Sequence, residues 1–175
     1  VYLPMIRRRI EQLQRAFADA AAEVNYPGQF HYTYASKANT AEEVVRTVLQ
    51  TGAHYEMSSV TDINIATLMR AAGYITPERM VIANGFKPAG TDYADYLVRF
   101  RSMHDHLIPV VEDLTELPPL IESGLPFEVG LRQKSYGLHK DGAEMDAANS
   151  RFGLDTAGIF KAAEMIAATP NVRLK

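Results

Sequence analysis

This sequence predicts an α/β fold built on a parallel sheet, the opening part of a (β/α)8 TIM barrel. Three observations predict it. First, short apolar runs of strand character alternate with amphipathic stretches of helical period, giving five strand–helix units and the opening of a sixth within 175 residues. Second, runs such as Met80-Val81-Ile82-Ala83 and Leu107-Ile108-Pro109-Val110-Val111 are apolar throughout, as in parallel strands covered on both faces. Third, no Gly-x-Gly-x-x-Gly follows the first strand, which weighs against a doubly wound dinucleotide fold. A closed barrel typically takes about 250 residues. Residues 1–175 are therefore expected to be the N-terminal part of the barrel, with the last units absent from this segment.

The elements follow in order. Residues 5–24 place Ile6, Ile10, Leu13, Phe17 and Val24 at helical spacing, and Pro4 sits where a first-turn proline is tolerated. Tyr26-Pro27-Gly28 ends that helix. Phe30 to Tyr34 alternates aromatic and β-branched residues, the pattern of a strand. Thr40 and Glu43 have the spacing of a capping box, and the helix behind them turns Val44, Val45, Val48 and Leu49 inward before Gly52. A short strand over 53–58 precedes a helix over 61–72, and the strand at 80–83 closes on Asn84-Gly85, which reads as a turn. A helix over 92–101, a strand over 107–111 and a helix over 115–123 come next; Pro118 and Pro119 suggest a first-turn start after an irregular entry. A strand over 127–132 leads into a polar loop over 133–149, long enough to be functional or disordered. Asp155 caps a helix over 156–168, and Val172-Arg173-Leu174 opens the sixth strand.

Composition excludes several function classes. Apolar content of 47% and charged content of 22% are those of an ordinary globular chain. A net charge of −3 gives no basic surface for nucleic acid, and Arg7-Arg8-Arg9 falls on an amphipathic helix as a solvated face. No apolar stretch approaches the roughly 18 residues of a membrane span, and the N-terminus is not a signal peptide. Without cysteine there are no disulfides, no thiol chemistry and no cysteine metal ligands, and a reducing cytoplasm fits. His104 and His106 flank Asp105 like metal ligands but lack a third; they read as solvated loop histidines, and His54 and His139 likewise show no partner, so no metal is expected.

The chemistry centres on residues 30–39. Lys37 lies near the C-terminal end of the first strand, just before a loop and a helix. In a (β/α) barrel that rim carries the active site. A lysine enclosed by neighbouring strand ends would be desolvated, which lowers its pKa and frees the amine to attack a carbonyl carbon. A solvated or salt-bridged lysine is the structural alternative. Glu56 is a carboxylate on an otherwise apolar strand; burying it requires a cationic partner, Lys37 or Arg132. It can tune the lysine or be purely structural. Arg132 ends the fifth strand, where a guanidinium can bind a carboxylate or a phenolic oxygen, or pair with Glu56. Ala35 would point the same way as Lys37 by strand alternation, leaving room for a flat ring or simply packing.

Several motifs, in order, resemble those of the alanine-racemase-like, fold-type-III pyridoxal-phosphate decarboxylases of basic amino acids. They are Tyr34-Ala35-Ser36-Lys37-Ala38-Asn39, the run from Gly52 through His54-Tyr55-Glu56-Met57 to Ser59, and the segment from Pro77 to Asn84-Gly85-Phe86-Lys87. Val129-Gly130-Leu131-Arg132 and Ser150-Arg151-Phe152-Gly153-Leu154 complete the set. Asn-Gly-Phe-Lys is similar to the biosynthetic arginine decarboxylase version. The resemblance implies pyridoxal 5'-phosphate as cofactor, Lys37 as the catalytic Schiff-base lysine, and Lys37, Glu56, Arg132 and Ala35 on the cofactor side. It implies a homodimer acting on a small amino acid: arginine first, diaminopimelate or ornithine next. It also implies that the ring-stacking histidine, the glycine-rich phosphate loop and the C-terminal β-domain lie after Lys175. A non-catalytic cofactor-binding homologue, or a barrel binding phosphorylated metabolites without pyridoxal, are the competing expectations.

Overall fold

A computed structural model describes residues 2–134 and 152–175. It divides into two compact units, Val1–Val81 and Ile82–Lys175.

The first unit opens with helix α1 (Leu3–Glu23), then β1 (Thr33–Ala35), a 3-10 turn (Ser36–Ala38), α2 (Glu42–Leu49), β2 (His54–Met57) and α3 (Val60–Ala71). It closes at the first residue of β3 (Val81–Ala83). β1 and β2 are parallel, with Thr33 opposite His54, Tyr34 opposite Tyr55 and Ala35 opposite Glu56. Tyr55 N–H donates to the carbonyl of Met80, one residue before β3. Helix α2 buries Val44, Val45, Val48 and Leu49, the four apolar residues its period places on one face. Two of them, Val44 and Val48, pack with Ile10 and Ala53, flanked by Leu3, Ile6, Tyr32 and Tyr34. Each aliphatic chain fully removed from water stabilises the unit by roughly 1.5–3 kcal/mol.

Two local expectations are corrected. α2 does not begin with a Thr40 capping box: Ala41 is its N-cap, and the Asn39 side chain accepts from Ala41 N–H instead. The chain enters through a 3-10 turn, so Thr40 lies one residue too early to cap. In α3 the capping residue is Ser59, its Oγ accepting from Asp62 N–H and donating back to the Asp62 carboxylate. In α1 only Ile10 is buried; Phe17, expected inward, is half exposed and stacks face to face on Phe30 with ring centroids 4.1 Å apart.

The second unit carries the rest of β3, then α4 (Asp92–Arg101), β4 (Leu107–Val111), α5 (Leu117–Glu122), β5 (Phe127–Leu131), α6 (Thr156–Ala167) and β6 (Val172–Leu174). Within this unit strand order follows chain order from β4 to β6. β4 pairs β5 in parallel at Val110–Gly130 and Val111–Leu131, and β5 pairs β6 in parallel from Phe127–Val172 to Val129–Leu174. Thr91 and Asp155 cap α4 and α6 through Ala94 N–H and Gly158 N–H. A 3-10 turn (Leu114–Glu116) precedes α5, which puts Pro118 and Pro119 in the first helical turn, where their missing N–H groups have no helical acceptor to lose. Phe100, Leu107, Val111, Leu117, Leu120, Phe127 and Val129 fill this core. The loop expected over 133–149 lies almost wholly outside the described residues, as do His139, Ser150 and Arg151.

Candidate active site

Each unit gathers polar side chains where its strands end at the carboxyl side. In the first unit the organising group is the buried carboxylate of Asp62. Its Oδ2 accepts from Ser58 N–H at 2.8 Å, Ser59 Oγ at 2.9 Å and Ser58 Oγ at 3.2 Å. Its Oδ1 accepts from Ser36 Oγ at 2.7 Å, and the same hydroxyl lies 2.9 Å from the Glu56 carbonyl. Burial alone would raise the Asp62 pKa; the Ser58 N–H and the hydroxyls of Ser36, Ser59 and Ser58 outweigh it and hold the carboxyl below its ordinary value. Tyr55, completely buried, donates its hydroxyl to the Asp62 carbonyl at 3.4 Å, and burial raises the phenol far above its usual range.

Ser36 immediately precedes Lys37, so this network pins the 3-10 turn that carries the lysine. Tyr34 closes the other end by donating to the Asn39 carbonyl at 2.9 Å. Lys37 Nζ lies 3.9 Å from Glu56 Oε1. Glu56 is buried and has the cationic partner its position demanded. Two expectations are corrected here. Among the described residues the lysine is not enclosed: its side chain is 65% exposed, so they do not supply the anticipated desolvation. Ala35 is the last residue of β1, half-buried, but Lys37 sits in the 3-10 turn beyond it, so strand alternation does not align the two.

In the second unit, Arg132 Nη1 pairs with Glu112 Oε2 at 3.2 Å. The ion-pair partner that the structure gives Arg132 is thus Glu112, whereas sequence reasoning named Glu56. Glu112 Oε1 accepts from Gly85 N–H at 3.0 Å, so Asn84-Gly85 is a turn that also holds a carboxylate. The Arg132 guanidinium lies over the Phe152 ring, 5.0 Å from its centroid. Gly153 makes this possible: at φ +84° its Cα approaches the end of β5 so closely that a Cβ would stand 2.8 Å from the Arg132 carbonyl. Leu154 N–H then donates to that carbonyl at 2.7 Å, docking the Phe-Gly element on the strand.

Asp62, Ser36, Glu112 and Phe152 were missed as participants. Asp62 had a signal, since Ser59-x-x-Asp62 is a capping-box spacing. Glu112 had a weaker one, an acid directly after an apolar strand. The histidine expectations also change. His104 is buried and packs on Phe100, and His54 Nδ1 accepts from Met80 N–H while its Nε2 is 3.2 Å from His31 Nδ1. Among the described residues no three His, Asp or Glu side chains gather as a candidate metal group. Nor, among them, is any helix long and apolar enough to cross a membrane.

The residues fit a pyridoxal cofactor in one respect open to direct inspection. A solvent-accessible lysine amine stands on a pinned turn at a strand end, with the Glu56 carboxylate 3.9 Å away. Comparisons with known proteins bear on the same point. Residues 5–174 match the family described as pyridoxal-dependent decarboxylase, pyridoxal binding domain. The biosynthetic arginine decarboxylase of Geobacter sp. (strain M21) is 25% identical over 94% of this chain and 26% of its own length. That of Geotalea uraniireducens (strain Rf4) is 29% identical over the same shares, 94% and 26%. The chain therefore spans about a quarter of the length of these relatives. The crystal structure of diaminopimelate decarboxylase from M. jannaschii superposes with a TM-score of 0.76 at 17% identity, covering 98% of this chain and 39% of that one. This likeness bears out the expected fold class, a parallel α/β barrel to which the described residues contribute six strands. With the match running over almost every described element, the chain belongs to the pyridoxal-dependent decarboxylases, as their pyridoxal-binding domain, and its cofactor is pyridoxal phosphate.

Proposed function

We propose that the protein carrying this chain decarboxylates a basic amino acid, arginine first and diaminopimelate or ornithine next, with Lys37 as its Schiff-base lysine. The observation that carries the reading is the Lys37 amine on its pinned turn, 3.9 Å from Glu56, in a chain matched end to end by the decarboxylase family. Arginine stands first because the curated relatives are biosynthetic arginine decarboxylases.

Pyridoxal phosphate, when bound, supplies the electron withdrawal that lets carbon dioxide leave. This chain's own residues would contribute holding, positioning and proton transfer. Lys37 Nζ would hold the cofactor through its aldehyde, and the same amine, once free, would donate a proton to the substrate carbon that loses its carboxylate. Glu56, 3.9 Å from Nζ, is proposed to hold the amine on its turn when the lysine is free. Arg132 is proposed as a cofactor-side cation, its guanidinium aimed by Glu112 and backed by Phe152 so that remaining N–H groups can meet an anionic oxygen. Ala35 is proposed to leave space for the flat ring at the end of β1. The working protein is proposed to be a cytoplasmic homodimer.

The second reading is a cofactor-binding homologue without turnover; the observation on its side is the exposure of Lys37. Carbon dioxide release from a panel of arginine, ornithine, diaminopimelate and lysine separates them. Release from arginine above the others is expected. No release from any of the four, by protein that shows a borohydride-sensitive visible chromophore, would contradict decarboxylation and leave the cofactor assignment standing.

A further inference from the structure

The second unit contains an ion pair that the proposed chemistry does not use. Lys87 Nζ and Glu116 Oε2 are 2.7 Å apart, with side chains 1% and 0% exposed. The ammonium is fully satisfied: it donates to the carbonyl of Gly85 at 2.8 Å, to that of Val110 at 2.5 Å and to Glu116. Glu116 in turn accepts from Lys87 N–H at 3.3 Å and from Glu112 N–H at 3.2 Å. Withdrawing two charges from water is strongly unfavourable, and an apolar pair of similar volume would fill the same space without that penalty. Burial pushes the Lys87 amine below its ordinary range and the Glu116 carboxyl above it, and their mutual attraction offsets part of each. Filling space therefore does not account for the pair.

What the pair does, and an apolar pair could not do, is tie backbone. It joins the turn after β3, through Gly85 and Lys87, to the end of β4, through Val110 and Glu112. Glu112 stands at the knot. Its N–H is held by Glu116, and its Oε1 by the N–H of Gly85, whose own carbonyl is held by Lys87. With one carboxylate oxygen fixed in this way, the other is turned to Arg132, which is otherwise 45% exposed. A long cationic side chain that exposed loses rotamer freedom only if its partner does not move.

We propose that Lys87 and Glu116 are a positioning pair for Arg132, acting through Glu112. The consequence for cofactor binding rests on the reading of Arg132 given above; the positioning itself does not.

The test uses the complete protein. Lys87→Met/Glu116→Leu removes both charges together and so avoids stranding one of them. Glu112→Gln breaks the chain downstream while leaving the buried pair in place, and it remains informative where the double variant does not fold. The first readout is the guanidinium of Arg132 in cofactor-free protein, followed by nitrogen NMR. Restricted Nη rotation is expected in the parent protein, and free rotation in both variants. An Arg132 as ordered in either folded variant as in the parent would overturn the proposal. The second readout is pyridoxal phosphate affinity. The double variant is expected to bind about tenfold more weakly, with no further loss when added to Arg132→Ala, as for groups acting through one another. A loss that adds fully to that of Arg132→Ala would also overturn it. If Arg132→Ala alone left cofactor affinity unchanged, the cofactor-side role of Arg132 would fall, and the NMR readout would still decide the positioning.

Discussion

The two strand-end clusters solve the same problem with opposite chemistry. In the first unit a buried carboxylate, Asp62, is satisfied by neutral donors: three serine hydroxyls and one backbone N–H. In the second, a buried carboxylate, Glu116, is satisfied mainly by a buried cation, Lys87. Each arrangement fixes a turn behind an exposed cationic residue, Lys37 in one case and Arg132 in the other. The difference teaches where each is vulnerable. A carboxylate held by hydroxyls needs only its own charge, so it fails when protonated. A charge held by a countercharge fails when either partner is removed.

The largest effect is expected in the second cluster. Glu116→Leu alone strands the Lys87 ammonium in the core and should destabilise by about 3–5 kcal/mol, whereas Lys87→Met/Glu116→Leu should cost far less. Chemical denaturation of the two variants measures this. A single substitution as mild as the double would show the pair to be wetter than its burial indicates.

Next comes Asp62→Ala, which leaves Ser58 N–H and the hydroxyls of Ser36, Ser58 and Ser59 without their acceptor and should destabilise by roughly 1–3 kcal/mol. Its pH counterpart has a definite sign. The folded pKa of Asp62 is lowered, so its stabilisation is present above the unfolded carboxylate value and is lost as pH falls through the folded one. Melting of the parent protein should therefore show an acid-side loss that is smaller in Asp62→Asn. Equal acid limbs would remove Asp62 as its source.

Gly153→Ala tests the platform under Arg132. A Cβ at φ +84° would meet the Arg132 carbonyl, so a loss of about 1–3 kcal/mol is expected, together with a displaced Phe152 seen as weakened ring-current shifts. Smallest is Lys37→Ala. Its side chain is mostly solvated, so stability should change by no more than about 0.5 kcal/mol while covalent cofactor attachment disappears. A large stability loss would make Lys37 a structural residue.

Much of this was legible in the sequence, and the reason is physical. α4, β4 and β6 begin and end where apolar period and turn residues place them, because local pattern and tertiary pairing agree there. Lys37 and Arg132 stand at strand ends because the motifs that carry them are short and local. The failures share a cause as well. Thr40 lost its cap to a 3-10 turn, a one-residue shift that propensity does not register. The partner of Arg132 is Glu112, 20 residues away, across a strand pairing whose register no local pattern encodes. The exposure of Lys37 depends on what surrounds it in space, and a linear sequence says little about that.

The central claim is tested most directly by reducing the complete protein with borohydride in the presence of pyridoxal phosphate and mapping the modified peptide by mass spectrometry. The account predicts a pyridoxyl adduct on Lys37, absent from Lys37→Ala. An adduct on a different lysine, or a visible chromophore that survives in Lys37→Ala, would contradict it.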